Sequence, residues 1–421
     1  MKNRSQEMLN FIELFAGSGG LGMGIAKAGF SQVIAIEKDK NCCNTLEFNR
    51  NQGLFYLAGW DIINSDVRDV VLSQYQGKVS LVSGGPPCQP FSLGGRHLAS
   101  EDQRDLFPEA IRAVREIRPQ AFIFENVRGL TRKSFAEYFE YIKLQLTYPL
   151  TVRLPNESSR KHFERLEEQF TSGDCDQLKY NITAKVLNAA DFGLPQKRER
   201  LFIVGFNNKL PVRWHFPKPT HSFDSLIWSQ RYGDYWDRNE VPKKYRLVSK
   251  KAESRLYRLS EKPNNAAWKT IRESIMSLPD PLASEGYESL NVLNHEYRPG
   301  ARIYPGHCGS FIDEPAKTLK AGVHGVPGGE NMIKFPDGSV RYFTLRESAR
   351  LQSYPDEYFF DCSWSKAMYQ LGNAVPIKLS YIIAKSVKSA LSEALSHNKP
   401  KKRGTTKPAS NSALQDATVH S

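Results

Sequence analysis

Apolar residues in the first half of the chain fall into short dense runs separated by longer amphipathic stretches. Phe11-Ile12-Glu13-Leu14-Phe15 is one such run, followed by a glycine cluster and a helical stretch to about Ala28. Val33 to Ile36 reads as a second strand, and Asn41 to Asn49 as a helix. Further strands are expected at Val79 to Ser83, Ala121 to Phe124, Thr183 to Leu187 and Leu201 to Val204, with helical spacing from Leu106 to Ile117. Strands alternating with helices predict an α/β fold, with a mostly parallel sheet flanked by helices.

The pattern changes after Phe206. Residues 207–340 are rich in Pro, Gly, Trp and Tyr with weak periodicity, and such a stretch is too long for a loop. It is expected to form a second, smaller, irregular domain. Regular spacing returns over 341–395, with helices at Leu345 to Leu351 and Leu379 to Leu395, so this part should rejoin the first domain, residues 1–206. A charged helical insertion is expected near 147–173, and a disordered basic tail at 396–421.

Composition narrows the setting. The chain has 421 residues, 40% of them hydrophobic, and a formal net charge of +13. A basic balance suits a polyanionic partner without specifying a fold. No apolar run approaches membrane-spanning length, and Met1 to Asn10 lacks the apolar centre of a signal peptide. A soluble, cytoplasmic protein is expected. Cys42, Cys43, Cys88, Cys175, Cys308 and Cys362 show no CxxC pair and no zinc-ligand spacing, so neither a structural metal nor a disulfide framework is expected.

Two loops carry candidate chemistry. Gly17, Gly19 and Gly22 fit G-x-G-x-x-G between a strand and a helix, and Glu37 follows Gly17 by 20 residues. Glycines allow close approach of a ligand to backbone N–H groups, and the carboxylate can hold a ribose hydroxyl. This predicts an adenosine-containing ligand, either a dinucleotide or S-adenosylmethionine. Gly84-Gly85-Pro86-Pro87-Cys88-Gln89 also follows a strand, which puts Cys88 in the crevice at the carboxyl ends of the strands. Glu125, in Glu125-Asn126-Val127, and Arg198 and Arg200, in Gln196-Lys197-Arg198-Glu199-Arg200, should enter the same crevice. Taken alone, each has a plainer reading, as an inert loop cysteine, a surface carboxylate or a solvated charge run.

Together and in order, Phe15 to Gly20, Pro86 to Gln89, Glu125 to Val127, Gln196 to Arg200 and Gly372-Asn373-Ala374-Val375-Pro376 resemble the DNA cytosine-C5 methyltransferase family, as found in bacterial type II restriction-modification systems. The resemblance implies a catalytic domain of the S-adenosylmethionine-dependent, Rossmann-like kind and a target-recognition domain at 207–340. It implies Cys88 as the nucleophile adding to cytosine C6, Glu125 at the N3 and amino edge, Arg200 at O2 and Arg198 in support. S-adenosyl-L-methionine would lie among Phe15, Ala16, Gly17, Gly19, Gly20, Leu21, Glu37, Pro87, Leu106, Asn373 and Val375, with Asp66 and Val67 at the adenine.

A flipped base in double-stranded DNA would be closed over by the loop carrying Gln89, Ser92 and Arg96. Lys243, Lys244 and Arg246 would meet phosphates, and Thr318, Leu319 and Lys320 would anchor base reading. The resemblance also implies a monomer that protects host DNA from a partner restriction endonuclease. An RNA cytosine methyltransferase of the same fold and a catalytically inactive DNA-binding relative are the alternatives. A dehydrogenase would leave the cysteine and glutamate loops unexplained.

Overall fold

The computed structural model describes residues 8–87, 104–173, 177–282, 292–305, 307–321 and 329–397. Its centre is a seven-stranded sheet. The strands are β1 (Asn10–Leu14), β2 (Ser31–Glu37), β3 (Ile62–Asn64), β4 (Leu81–Gly84), β5 (Ala121–Val127), β6 (Tyr180–Asn188) and β7 (Glu199–Asn207), in the order β3-β2-β1-β4-β5-β7-β6. Pairing is parallel from β3 to β5, and β7 runs antiparallel to both its neighbours. The mostly parallel α/β expectation is met.

Both faces of this sheet are covered, which explains why its central strands are dense apolar runs instead of alternating ones. Phe11, Ala35, Leu81 and Ile123 face one core, and Ile12, Ile34, Val82 and Phe122 face the other. The first core receives α1 (Gly20–Lys27) and α2 (Lys40–Asn51). The second receives α3 (Phe107–Ile117), α4 (Ala136–Thr147) and α5 (Ser159–Ser172). Within residues 147–173, α5 is seated on α4 through Tyr141, which meets His162 and Phe163.

The first core is completed from the far end of the sequence. The helices α10 (Leu345–Leu351), α11 (Trp364–Asn373) and α12 (Ile377–His397) supply Leu345, Met368, Leu371, Ile383 and Val387. Helix α12 therefore runs to His397, past the expected start of the tail at 396; the remainder of that tail lies outside the described residues.

The boundary expected at 206 moves. Leu210, Val212, Trp214 and Phe216 still pack on the first core, and Trp214 Nε1 donates to Ser386 Oγ at 2.9 Å. Aromatic burial against the returning helix outweighs the break in periodicity that marked the boundary. Beyond it, the second region is built from short elements. These are β8 (His221–Ser222) paired with β9 (Ala266–Ala267), α6 (Phe223–Tyr232), α7 (Tyr235–Arg238), α8 (Lys250–Leu256), α9 (Ile271–Ile275), and a three-stranded sheet of β10 (Ser310–Phe311), β11 (Met332–Lys334) and β12 (Val340–Tyr342). One of its small cores includes Leu351 of α10, so its far edge is shared with the returning segment.

Candidate active site

The order of strands reverses between β2 and β4, on either side of β1, and a crevice opens there at the carboxyl ends of the strands. Phe15 leaves β1 with φ 56°, a left-handed conformation that a bulky side chain adopts only when its surroundings enforce it. Gly17 follows at φ 55° and donates its N–H to Glu37 Oε2 at 2.7 Å. The second oxygen of Glu37 accepts from the Asp39 N–H at 2.7 Å. A Cβ on Gly17 would meet no atom within 4 Å, so the turn presents bare backbone to open space. The turn is pinned from behind by the returning segment, where Tyr358 donates to the Ser18 carbonyl at 2.9 Å and Tyr354 hydrogen-bonds the Ser18 hydroxyl at 2.7 Å.

The crevice is a cavity of about 450 Å³. Of the donor-site residues expected from sequence, Phe15, Ala16, Gly17, Gly20, Leu21, Glu37, Pro87, Asn373 and Val375 line it. Gly19 does not, because its Cα faces Leu46 of α2. Asp66, Val67 and Leu106 also lie outside the lining. Asp66 caps a short 3-10 turn and is held by Lys38 and Arg68 at 2.9 and 2.6 Å, and the Arg68 hydrogen bond keeps its carboxyl well below the usual carboxylate range. Val67 is buried under the sheet, and Leu106 donates its N–H to the Pro87 carbonyl.

Sequence reasoning missed two acceptors in this cavity. Glu13 Oε1 accepts the Gly22 N–H at 2.8 Å, while its Oε2 is buried without a partner. Burial pushes its pKa up to about 8. Gln370 of α11 is buried too, with its amide nitrogen held by Thr45 and Asn41 and its Oε1 unpartnered. Unsatisfied buried acceptors are costly, so a ligand that brings N–H donors suits this end of the cavity. A charged residue inside the apolar run of β1 was the available signal for Glu13.

At the other end stands Glu125, near the carboxyl end of β5. It pairs with Phe202 of β7, and Arg200, two residues away on β7, pairs with Val127. Arg200 Nε is 2.9 Å from Glu125 Oε1, yet its N–H is not aligned on that oxygen, which is left without a hydrogen-bond donor. Burial raises the Glu125 pKa, against the lowering by the Arg200 and Arg198 charges, and burial lowers that of Arg200. The loop after β4 closes over this pair. Asn126 Nδ2 donates to the Pro86 carbonyl at 2.9 Å, and a Cβ on Gly85 would come within 3.2 Å of Glu125 Oε2. Cys88, Gln89, Ser92 and Arg96 lie outside the described residues.

Arg198, Leu319 and Arg246 are each engaged within the protein. Arg198 is fully buried and donates to the carbonyls of Leu319, Gly372 and Ala374 at 3.1, 2.6 and 2.7 Å. It lies behind the cavity lining and ties three backbone carbonyls together, while its charge still acts on Glu125. Leu319, expected as an anchor, is buried in a small apolar core, and its N–H donates to the Gln196 side chain. Arg246 is engaged by Asp237 and the Val241 carbonyl. Lys243 and Lys244 are exposed on the surface. Thr318 donates its hydroxyl to the Lys197 carbonyl, and Lys320 pairs with Glu330 at 2.7 Å.

A mostly parallel sheet with a cavity at its strand-order reversal, and an acid–guanidinium pair at the cavity's far end, is the arrangement of an α/β enzyme that can hold a nucleotide-like ligand beside a polar substrate. The sequence model of the C-5 cytosine-specific DNA methylase family matches residues 9–148 and 153–389, and the chain belongs to that family. It is a DNA cytosine-5-methyltransferase that uses S-adenosylmethionine.

Among curated relatives, the type II methyltransferase M.Eco47II of Escherichia coli is 31% identical over 389 residues, covering 91% of this chain and 79% of that protein. M.PspPI of Psychrobacter sp. (strain TA137) is 30% identical over 382 residues, covering 90% and 78%. The fold is shared with the Schizosaccharomyces pombe Dnmt2 methyltransferase (TM-score 0.52, 18% identity, 90% of this chain and 99% of that one). It is also shared with the Entamoeba histolytica methyltransferase EhMeth (TM-score 0.53, 14% identity, 92% and 99%).

Proposed function

We propose that the enzyme methylates a cytosine extruded from duplex DNA through a covalent bond between Cys88 and ring carbon C6. The observation that carries this reading is the buried Glu125–Arg200 pair, one oxygen of which lacks a donor, under the stem of the Cys88 loop.

C5 of cytosine is a weak nucleophile until a thiolate adds at C6 and drives the ring electrons onto C5. Cys88 supplies the thiolate. Glu125, whose burial favours its protonated form, holds the amino and N3 edge and offers N3 a proton as negative charge builds there. Arg200 faces O2 and stabilises the same charge. S-adenosylmethionine, when bound, supplies an electrophilic methyl group to C5. A water molecule acting as base then takes the C5 proton, the C5–C6 double bond re-forms as the Cys88 sulfur leaves as thiolate, and N3 returns its proton to Glu125. Glu37 and the bare backbone at Gly17 hold the donor's ribose and methionine parts, with Asn373 and Val375 closing the wall.

The type II relatives support a role in restriction-modification, in which a monomeric enzyme shields DNA from a cognate restriction endonuclease without forming a stable complex. Such an enzyme works in the cytoplasm, where its DNA is. The recognition region rises beside the Glu125–Arg200 end of the cavity, where Lys197 and Thr318 meet. Lys243 and Lys244 of the same region are exposed and suit phosphate contacts.

The test uses duplex DNA substituted with 5-fluorocytosine. Fluorine at C5 cannot leave as a proton, so the protein–DNA bond is trapped. The parent chain is expected to form an adduct that survives denaturing electrophoresis, and Cys88→Ser to form none. An adduct of equal yield with Cys88→Ser overturns the assignment.

A further inference from the structure

The side of the sheet covered by α1 and α12 carries a surface that neither the donor cavity nor the Glu125–Arg200 pair uses. The two helices run side by side, away from the crevice. Gly20 of α1 and Val375, just before α12, line the donor cavity. From there Ser380 Oγ donates to the Leu21 carbonyl at 2.5 Å, and Lys388 Nζ to the Gly29 carbonyl at 2.7 Å. Lys27, at the last position of α1, and Lys385, on the third turn of α12, therefore stand back from the cavity.

These two lysines alternate with aromatic rings. Lys27 Nζ lies 5.5 Å from the centre of the Tyr56 ring and 5.6 Å from that of Tyr381. Lys385 Nζ is also 5.6 Å from the Tyr381 centre. Phe55 stands beside Tyr56 in the short turn Phe55–Leu57, with 5.4 Å between the two ring centres. The row thus runs Phe55, Tyr56, Lys27, Tyr381, Lys385, and Phe55 at its end is 80% exposed.

The charge here is uncompensated. Helix α1 contains no acidic residue, and α12 contains only Glu393. Among the described residues, Lys27, Lys378, Lys385 and Lys388 form no ion pair with a carboxylate. Burial and the charges of Lys269 and Lys27 hold the Lys378 ammonium below its usual pKa. A cation resting on a ring face in place of a carboxylate keeps its charge for an anion from outside.

Open rings between lysines suit a single strand, whose bases stack on the rings while its backbone follows the cations. In a duplex the base faces are already covered by their neighbours, so Phe55 would gain nothing from it. We infer that this face binds single-stranded nucleic acid, with a base stacked on Phe55 and phosphates on Lys27 and Lys385. It is a second nucleic-acid site, and it does not depend on the roles given to Cys88, Glu125 or Arg200.

The experiment measures fluorescence anisotropy of labelled oligo(dT) and oligo(U), strands without cytosine, on the full chain and its variants Phe55→Ala, Lys27→Ala and Lys385→Ala. All three residues are exposed, so the variants should fold and methylate duplex DNA as the parent does. Phe55→Ala is expected to weaken binding about tenfold, through loss of one stacked base. Each lysine variant is expected to lower the slope of log affinity against log salt by about 0.7, the value for one phosphate of a single strand. The tighter of the two strands identifies the source, RNA or opened DNA. Variants that bind both strands as the parent does overturn the site, and so does a parent that binds neither at low salt. An equal loss by Phe55→Ala on an oligo(dA)·oligo(dT) duplex assigns the face to duplex DNA and overturns the single-strand reading. Displacement of both strands by polyglutamate at equal charge assigns it to an acidic protein and overturns it too.

Discussion

Glu13 and Glu125 show how burial tunes single residues here. Both are carboxyls inside an apolar sheet, and both are raised in pKa by loss of water. For Glu125 the shift suits the proposed reaction, in which a carboxyl that keeps its proton gives it to N3. For Glu13 it costs stability at high pH. Its folded pKa, about 8, lies above the unfolded value of 4.5. Its contribution is thus fully present below pH 4.5 and is lost as pH rises towards 8. Glu13→Gln keeps an acceptor for the Gly22 N–H and has no charge to bury. The variant should lack that decline, with a gain over the parent above pH 8 on the order of a few kcal/mol. Urea midpoints of both proteins measured across this range check it; parallel pH profiles would refute the buried ionisation.

At the scale of elements, the segment from Pro195 to Arg200 joins three parts of the molecule. Its backbone bonds Ala316, its Gln196 side chain reaches Leu319 and Leu351, and Arg198 ties Leu319 to Gly372 and Ala374. Ala374 lines the donor cavity, so the recognition segment and the cofactor wall hang on one buried guanidinium. Close approach makes this joint possible, since a Cβ on Gly372 would lie 2.2 Å from the Ala321 nitrogen. Gly372→Ala should push the two segments apart and destabilise the fold by about 1–3 kcal/mol, as overpacking does. It should also weaken donor binding by moving Asn373 and Ala374. Calorimetric titration with S-adenosylmethionine, alongside denaturant unfolding, measures both, and unchanged values would mean that the joint yields freely. The run of charges at 197–200 had suggested a solvated or catalytic stretch. Arg198 and Arg200, two residues apart, instead turn inward as a buried tie and a cavity-lining residue, while Glu199 between them is exposed, as the alternation of side chains along an extended chain requires.

Over the whole molecule, the first core is made jointly by the N-terminal strands and the C-terminal helices, and the glycine turn is pinned by Tyr354 and Tyr358. Donor binding should therefore stabilise this core as one unit. At a donor concentration about 100 times Kd the gain is roughly 2.7 kcal/mol. A thermal melt with S-adenosylmethionine should shift the main transition upwards. A shift confined to a minor early transition would show that the returning helices are not part of the donor site. Among the described residues no helix is long and apolar enough to cross a membrane.

What the sequence determined by itself is local. The apolar runs of β1, β2, β4 and β5 announced a sheet buried on both faces. The glycine turn, Glu37, Pro86-Pro87 and Glu125 announced the chemistry, because each sits in a short strand-to-loop unit whose shape depends on near neighbours. The structure decided what depends on distant partners. It placed Gln370 and Glu13 in one cavity, withdrew Arg198 and Leu319 into the interior, and carried residues 210–216 back onto the first core. A buried arginine and a solvated one look alike in a sequence. Which one it becomes depends on whether carbonyl groups more than a hundred residues away come close enough to replace its water.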